Sequence, residues 1–494
     1  MSQPIAPDYG QQFLFPPALE DWVPGDHPVR FIREFVDELD LVELGFVVRS
    51  GTEGRPPYAA SLLLKIWLYG YFERIHSTRK LEAAVGDRLP LVWLAGMLRP
   101  DHNSLWRFWR DNRKALGKLF KETVKVALRA GALGLVVQAL DGTKIQACAS
   151  GRSGWSKKYM EKLLKQLDGV LEQTEGQIAQ DNAAPETDYH LPEGLAERKA
   201  LRQKIQAGLA QLAADGRTHH HPVEPEARRM KIDSHTNRFA YNAQAVVDGK
   251  EGVVVACEVT RKENDTGQLV PMIEQAAQNI RPTIAQDTVT LADSGYGAGS
   301  DLMAADKKQL AVLVAPVEGK PAKDNPYAAQ HFWYDPRTHS VSCPRGQLLD
   351  YEGQTHKRQR VVERFRCHCQ DCPVRSQCTQ DPKGRQVEVW PFTPVVQAMR
   401  EKLRTPQAAS CFSQRGVIVE PCFAKIKAHD GFRRWTMWGL QAAQAQWALL
   451  CTTVNLRILY KRWRMGRPFH EGGAMAARRL WAGWIEAKLG LEIA

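Results

Sequence analysis

Two short apolar runs in this chain each stop on an aspartate followed by small residues: Leu135-Val-Val-Gln-Ala-Leu-Asp141-Gly142 and Thr288-Val-Thr-Leu-Ala-Asp293-Ser294-Gly295. Runs of this length and β-branched texture, closed by glycine, read as central strands. In open sheets flanked by helices, sites form at the strand ends, so an acid there points into a crevice. An Asp before Gly is also ordinary turn chemistry, and for either aspartate alone that is the simpler reading. Two of them on apolar strands of one sheet favour a shared site. Carboxylates are hard oxygen ligands suited to Mg²⁺ (or Mn²⁺), which keeps waters and phosphate oxygens around it. Two such ions clamp the attacking and leaving oxygens of an in-line phosphoryl displacement. One aspartate cannot hold both, so further acids are expected.

The rest of the chain supports a mixed sheet with helices. Tyr241-Asn-Ala-Gln-Ala-Val-Val and Gly252-Val-Val-Val-Ala-Cys-Glu-Val read as two strands joined by a turn at Asp248-Gly249. Gln268–Asn279 has helical spacing, Asp301–Lys308 is a helix, and Leu310-Ala-Val-Leu-Val-Ala is a fifth strand. The order is strand, hairpin, helix, strand, helix, strand, helix, an α/β arrangement. Between the first strand and the hairpin, residues 157–213 carry apolar residues at helical spacing and suggest a protruding helical hairpin. A His219-His220-His221 linker, read as a solvated loop, follows it. Among the intervening acids, Asp248 fits a turn and Asp265 a helix cap before Gln268, so both read as structural, while Asp233 and Glu258 remain rivals. Residues 31–130 are helical throughout, with one long helix expected from Asn103 to Arg129. That segment is either a helix-turn-helix or a plain bundle.

Charge points to a partner. The chain of 494 residues carries +12, and from Arg400 to Ala494 there are 16 Lys and Arg against 6 Asp and Glu, beside Trp435, Trp438, Trp447, Trp463, Trp481 and Trp484. A concentrated positive field attracts a polyanion, nucleic acid above all; a solvated basic face on a helical tail is the plain alternative. The apolar stretches Ser61–Phe72 and Trp438–Tyr460 are broken by Lys65 and by Gln441, Gln444, Gln446, Asn455 and Arg457, so no membrane span is expected. Met1-Ser-Gln-Pro-Ile lacks the pattern of a secretory signal, which makes a cytoplasmic protein the expectation. Five of the ten cysteines fall between Cys343 and Cys378. Cys343, Cys369, Cys372 and Cys378, with Cys367 adjacent, are enough thiolates for a structural Zn²⁺. Reduced thiols packed in a small insertion, or an Fe–S cluster, are the other readings.

The string Ala292-Asp293-Ser-Gly-Tyr-Gly resembles the second acidic motif of DDE transposases from bacterial insertion sequences. Val419-Glu420-Pro-Cys-Phe-Ala-Lys-Ile-Lys427, followed by Gly431-Phe-Arg-Arg-Trp435, is similar to their third. Tyr241-Asn-Ala-Gln-Ala-Val-Val-Asp resembles the family's second-strand motif. Gly54-Arg-Pro-Pro-Tyr and Pro100-Asp-His-Asn-Ser resemble the N-terminal domain of one branch, whose members also carry a cysteine-rich insertion. The resemblance implies a catalytic triad of Asp141, Asp293 and Glu420 holding Mg²⁺, on an α/β catalytic core of RNase H-like type. In the third motif Lys427 stands two helical turns beyond Glu420, on the same side, as a DNA-phosphate contact. Two departures stand out. Where relatives carry Tyr and Arg before the Glu, this chain has Phe412, Ser413, Arg415 and Gly416, with Arg415 as the substitute. Pro421 directly follows Glu420, so Glu420 either lies in a first helical turn or at a kink.

The expected organisation is a helical N-terminal domain over 1–130, a candidate for recognising DNA ends; an RNase H-like core of five mixed strands over 131–316; a small Cys-rich insertion over 317–400; and the Glu420 helix with basic helices over 401–494. Arg433 and Arg434 join Lys427 and Arg415 as expected DNA-binding residues. The resemblance further implies a homodimer, element ends and target DNA as partners, and a cytoplasmic, nucleoid-associated protein. A hydrolytic nuclease of the same fold, or an inactive DNA-binding derivative, would share much of this sequence.

Overall fold

A computed structural model describes residues 18–49, 56–151, 154–181, 195–233, 236–280, 288–317 and 325–466. The Pro-rich opening, the tip of the 157–213 hairpin and the basic tail with Trp481 and Trp484 lie outside the described residues. The chain divides into two compact units, residues 1–132 with 448–494, and residues 133–447.

The first unit is built on α1 (Pro28–Asp37), α2 (Ala60–Phe72), α3 (Thr78–Asp87), α4 (Leu89–Leu94), α5 (His102–Asp111) and α6 (Arg113–Arg129). The α2 sequence is apolar all round and is buried accordingly, with Leu64, Ile66, Trp67 and Tyr71 almost wholly inaccessible. α1, α3, α4 and α5 all pack against it, and the Trp67 indole donates to the Leu105 carbonyl at 3.1 Å. This is a bundle around one buried helix. The single helix expected over Asn103–Arg129 is broken at Asn112. Its buried amide donates to the Phe108 carbonyl at 2.7 Å and accepts from the Val47 N–H at 2.7 Å. A side chain that bonds backbone on both sides offers an alternative to the helical ladder. The end of α15 (Leu440–Met465) completes this unit. Asn455 donates to Thr123 at 3.1 Å, and Arg462 donates to the Ala130 carbonyl at 2.7 Å. Residues 448–466, expected with the basic helices of 401–494, thus pack with the N-terminal helices.

The second unit contains a six-stranded mixed sheet. Its strands are β1 (Val137–Gln146), β4 (Arg228–Lys231), β5 (Asn237–Asp248), β6 (Val254–Thr260), β7 (Val289–Ala292) and β8 (Val312–Val314). β5 is antiparallel to β1, while β6 and β4 share the other edge of β5. β7 is parallel to β1, and β8 is parallel to β7. Without β4, the spatial order of the core strands is third, second, first, fourth, fifth. The predicted strands are all present, but β1 is longer than expected and runs five residues past Asp141. α9 (Leu269–Ile280) covers β5 and β6. β2 (Trp155–Ser156) pairs with β3 (His219–His220) at the base of a hairpin of α7 (Lys157–Asp181) and α8 (Leu195–Asp215). The histidine linker is therefore not a solvated loop: His220 and His221 are buried, and His221 bridges to the Ser150 carbonyl at 2.9 Å.

A second, fully antiparallel sheet follows, of β9 (Trp333–Asp335), β10 (Ser340–Ser342), β11 (Leu348–Lys357), β12 (Arg360–Cys367) and β13 (Arg385–Val389). β11 and β12 are joined by Arg358 and Gln359, both at positive φ, as a two-residue hairpin turn demands. Its core is Phe332, Val341, Leu349, Phe365, Val387 and Val389 with the cysteines. α10 (Gly299–Lys307), α11 (Arg375–Cys378), α12 (Thr393–Arg404), α13 (Pro406–Ser413) and α14 (Arg415–Ala424) are the remaining helices of this unit, and α14 packs on β1 and β5.

Replacing Asn112 with Leu leaves the Val47 N–H without its acceptor, and is expected to destabilise the protein by about 1–3 kcal/mol. A lowered urea midpoint at unchanged m-value is the expected readout; an unchanged midpoint would mean the break does not depend on this amide.

Candidate active site

The parallel pairing of β1 with β7 builds the site. The ladder ends where Leu140 faces Ala292, so the next residues, Asp141 and Asp293, lie side by side, about one strand spacing (~4.8 Å) apart in backbone terms. Asp293 caps the following turn by accepting from the Gly295 N–H at 2.8 Å. Asp141 accepts from its neighbour's Gly142 N–H at 2.7 Å and pairs with the Arg415 guanidinium at 3.2 Å. Burial pushes the Asp141 carboxyl up to about 6, and the nearby charges of Asp293 and Asp265 add to the rise, while Gly142 and Arg415 oppose it.

The floor of the site is polar. Gln244 lies opposite Gly142 on β5 and is fully buried. It takes the Tyr296 hydroxyl on its carbonyl oxygen and donates from its amide nitrogen to Asp265 at 2.7 Å. Asn242 donates to the same Asp265 oxygen at 2.8 Å. Asp265 therefore does not use its carboxylate as a helix cap; only its backbone carbonyl meets the Gln268 N–H. Burial, then the three aspartates, hold the Tyr296 phenol strongly in its neutral form. Asp265 is the site residue missing from the expected set. Its only sequence signal is the Asn-Asp-Thr-Gly string after a strand, which reads equally well as a turn.

Glu420 is placed differently. It lies on α14, whose first residue, Arg415, reaches Asp141. However, Glu420 is exposed, and its carboxylate folds back to within 2.8 Å of where a Cβ on Gly416 would stand. The structure gathers Asp141, Asp293 and Asp265, and does not bring Glu420 into contact with them. Pro421 falls at the seventh residue of α14, past the first turn. The helix then changes to a π-helical turn over Lys425–His429, so the simple two-turn relation between Glu420 and Lys427 does not hold. Lys427 instead turns toward β1 and donates to the Lys144 carbonyl at 3.2 Å. Burial and the nearby Arg433 lower its pKa. Arg434 grips the carbonyls of Ala147 and Cys148, while the Arg433 side chain is exposed.

Among the described residues no three His, Cys, Asp or Glu side chains stand close enough for a ready-made metal site. The donor chemistry around Asp141 nevertheless fits a hard divalent cation: oxygen atoms, a carboxyl whose ionisation is opposed by burial and like charge, and Arg415 as a counter-charge. In the second sheet, Cys343, Cys367, Cys369, Cys372 and Cys378 line one cavity of about 20 Å³. Burial and the neighbouring thiols push Cys367 up to about 12. Cys367, expected only as a neighbour, thus joins the other four.

The raised Asp141 acid has a pH consequence. A carboxyl whose pKa rises on folding stabilises the folded chain fully below its ordinary 3.8, and that contribution is lost as pH rises through about 6. In chelator, Asp141→Asn is expected to gain about 1–3 kcal/mol over the parent between pH 4 and pH 7 and to hold that gain above it. Urea midpoints of the two proteins across this range test it; a constant difference would place Asp141 in an ordinary environment.

Residues 342–460 match the Transposase DDE domain family. Residues 17–111 match a second family, described as Transposase domain (DUF772). The first stretch includes Glu420, α14 and most of the second sheet, and the second covers α1 to α5. No curated protein matches the chain. Two transposase families in this order, on either side of a mixed sheet that sets Asp141 beside Asp293, support a DDE transposase of an insertion sequence.

Proposed function

We propose that this transposase cleaves DNA at the ends of its element and joins the freed ends to target DNA, with Asp141, Asp293 and Glu420 as its catalytic carboxylates. The observation that carries the reading is the paired exit of Asp141 and Asp293 from adjacent parallel strands. The strand order third, second, first, fourth, fifth supports an RNase H-like catalytic core. Glu420 enters as the third acid on the strength of its motif and of its position on the helix that lies along β1.

Mg²⁺ or Mn²⁺ held by these acids would supply the charge that activates the attacking hydroxyl and steadies the leaving oxygen. The chain's own residues do the rest. Arg415 holds Asp141 in register, and Gln244 and Tyr296 fix the polar floor beneath it. Lys427 and the exposed Arg433 are the phosphate contacts, giving position without reading bases, and Arg434 braces the backbone that carries them. The helices of residues 1–132 are the candidate for recognising the element's ends. Two ends call for two copies of the chain, so a homodimer is the proposed working form.

Purified protein on a supercoiled plasmid carrying the element tests this reading. Asp141→Asn, Asp293→Asn and Glu420→Gln are each expected to lower cleavage by about 10²-fold or more while DNA binding persists. Full cleavage by any one removes that residue from the set. Products joined to target DNA mark a transposase, and cleavage without joining marks a hydrolytic nuclease.

Four of the five cysteines of the second sheet, Cys343, Cys369, Cys372 and Cys378, are proposed to hold one structural Zn²⁺, supported by their convergence on a single small cavity. Metal analysis should find about one zinc per chain, and Cys372→Ser should lose it. Protein free of zinc, with unchanged unfolding in chelator, would leave packed thiols as the answer.

A further inference from the structure

Asp265 lies on the segment between β6 and α9, held there by the Asp301 carboxylate, which accepts from the Gly267 N–H at 2.5 Å. One oxygen of Asp265 takes both the Asn242 and Gln244 amides. That oxygen stands 2.6 Å from where a Cβ on Gly142 would be, and its other oxygen stands 3.0 Å from where a Cβ on Gly295 would be. Gly142 directly follows Asp141, and Gly295 is two residues after Asp293. The Asp265 carboxylate therefore occupies the space between Gly142 on β1 and the turn after Asp293, and only glycines leave room for it.

A second observation points the same way. Asn242 is 1% exposed, and its side-chain carbonyl oxygen has no hydrogen-bond partner. That oxygen lies 3.0 Å from the same Gly142 Cβ position. A buried acceptor without a donor is costly, and a cation is one of the few partners that can satisfy it among carboxylates. The Tyr296 hydroxyl on the Gln244 carbonyl also fixes which end of that amide faces Asp265, so the carboxylate is aimed and not merely nearby.

We propose that Asp265 is a fourth carboxylate of the catalytic centre, binding a divalent cation together with Asp141 and Asp293 and with the Asn242 carbonyl beside it. The proposal rests on the reading of Asp141 and Asp293 as cation-binding residues. Hard divalent ions favour such all-oxygen sets. Asp265 then holds an ion at the site in the absence of Glu420, which the structure leaves outside.

Mn²⁺ is the probe, with binding measured by electron paramagnetic resonance of the free ion and by the shift of the unfolding midpoint. Asp265→Asn keeps an oxygen in front of both amides, and is expected to fold with the parental midpoint in chelator. It is expected to bind Mn²⁺ at least 10-fold more weakly, to lose most of the Mn²⁺-induced stabilisation, and to need more Mg²⁺ for cleavage. Glu274→Gln, on the exposed face of α9, is the control and should bind as the parent. Parental Mn²⁺ affinity in Asp265→Asn, with binding lost in Asp141→Asn, overturns the proposal and spares the wider reading. Parental affinity in both variants overturns that reading as well. Iron-directed backbone cleavage of the unmodified protein, with Fe²⁺ and peroxide, needs no variant. Cuts beside 141, 293 and 265 support the proposal, and cuts beside the first two alone refute it.

Discussion

Everything at the centre of the second unit depends on where one parallel ladder stops. β1 and β7 pair from Val137 with Val289 to Leu140 with Ala292. Because side chains alternate along both strands in step, the acids that follow leave on matching positions. A slip of one residue in that register would turn one aspartate to the opposite face. The buried runs on both strands, with Ala139, Leu140, Leu291 and Ala292 wholly inaccessible, fix the register by making any slip expose apolar surface. The chemistry is thus specified by hydrophobic packing several residues before the acids themselves.

What was legible in the sequence was local. The texture of β1, β5, β6, β7 and β8 and the two aspartates could be read because strand periodicity and turn glycines are written in neighbouring residues. The extension of β1 past Asp141 was hidden, because Gly142-Thr-Lys looks like a turn and becomes strand only through its pairing with β5. Asn112 was hidden for the same reason: its partner, Val47, is 65 residues away. The second sheet was read only as a small Cys-rich insertion, since its strands are short or polar on one face and its core is completed by cysteines. Asp265 was passed over because a capping aspartate and a site aspartate look identical until the loop is closed. Glu420 came from likeness to a family and not from any strand logic, and it is the acid that the folded chain leaves apart.

Beyond Asp141, β1 and the residue after it are held by backbone bonds as well as by the buried Ile145 and Ala147 side chains. The Gln146 N–H donates to the Arg433 carbonyl at 3.3 Å and the Trp435 N–H to the Gln146 carbonyl at 2.9 Å, so the segment after α14 is stitched to the end of the strand. The buried Glu224 accepts from the Ala149 N–H at 2.9 Å and the Gly439 N–H at 3.1 Å. A carboxylate bonded to two main-chain donors is a strong tie. It joins the end of the first strand to the approach to α15, so the chain on the C-terminal side of Glu420 is tied down while Glu420 itself is exposed.

The room beside the two site aspartates is made by hydrogen atoms where other residues carry carbon. A methyl group at position 142 would sit 2.6 Å from an Asp265 oxygen, and one at 295 would sit 2.9 Å from an Asp293 oxygen, both inside ordinary contact. A mobile element accumulates random changes in every copy it leaves behind. In a lineage of such copies, one base change in either glycine codon is enough to crowd the site while the fold around it stands.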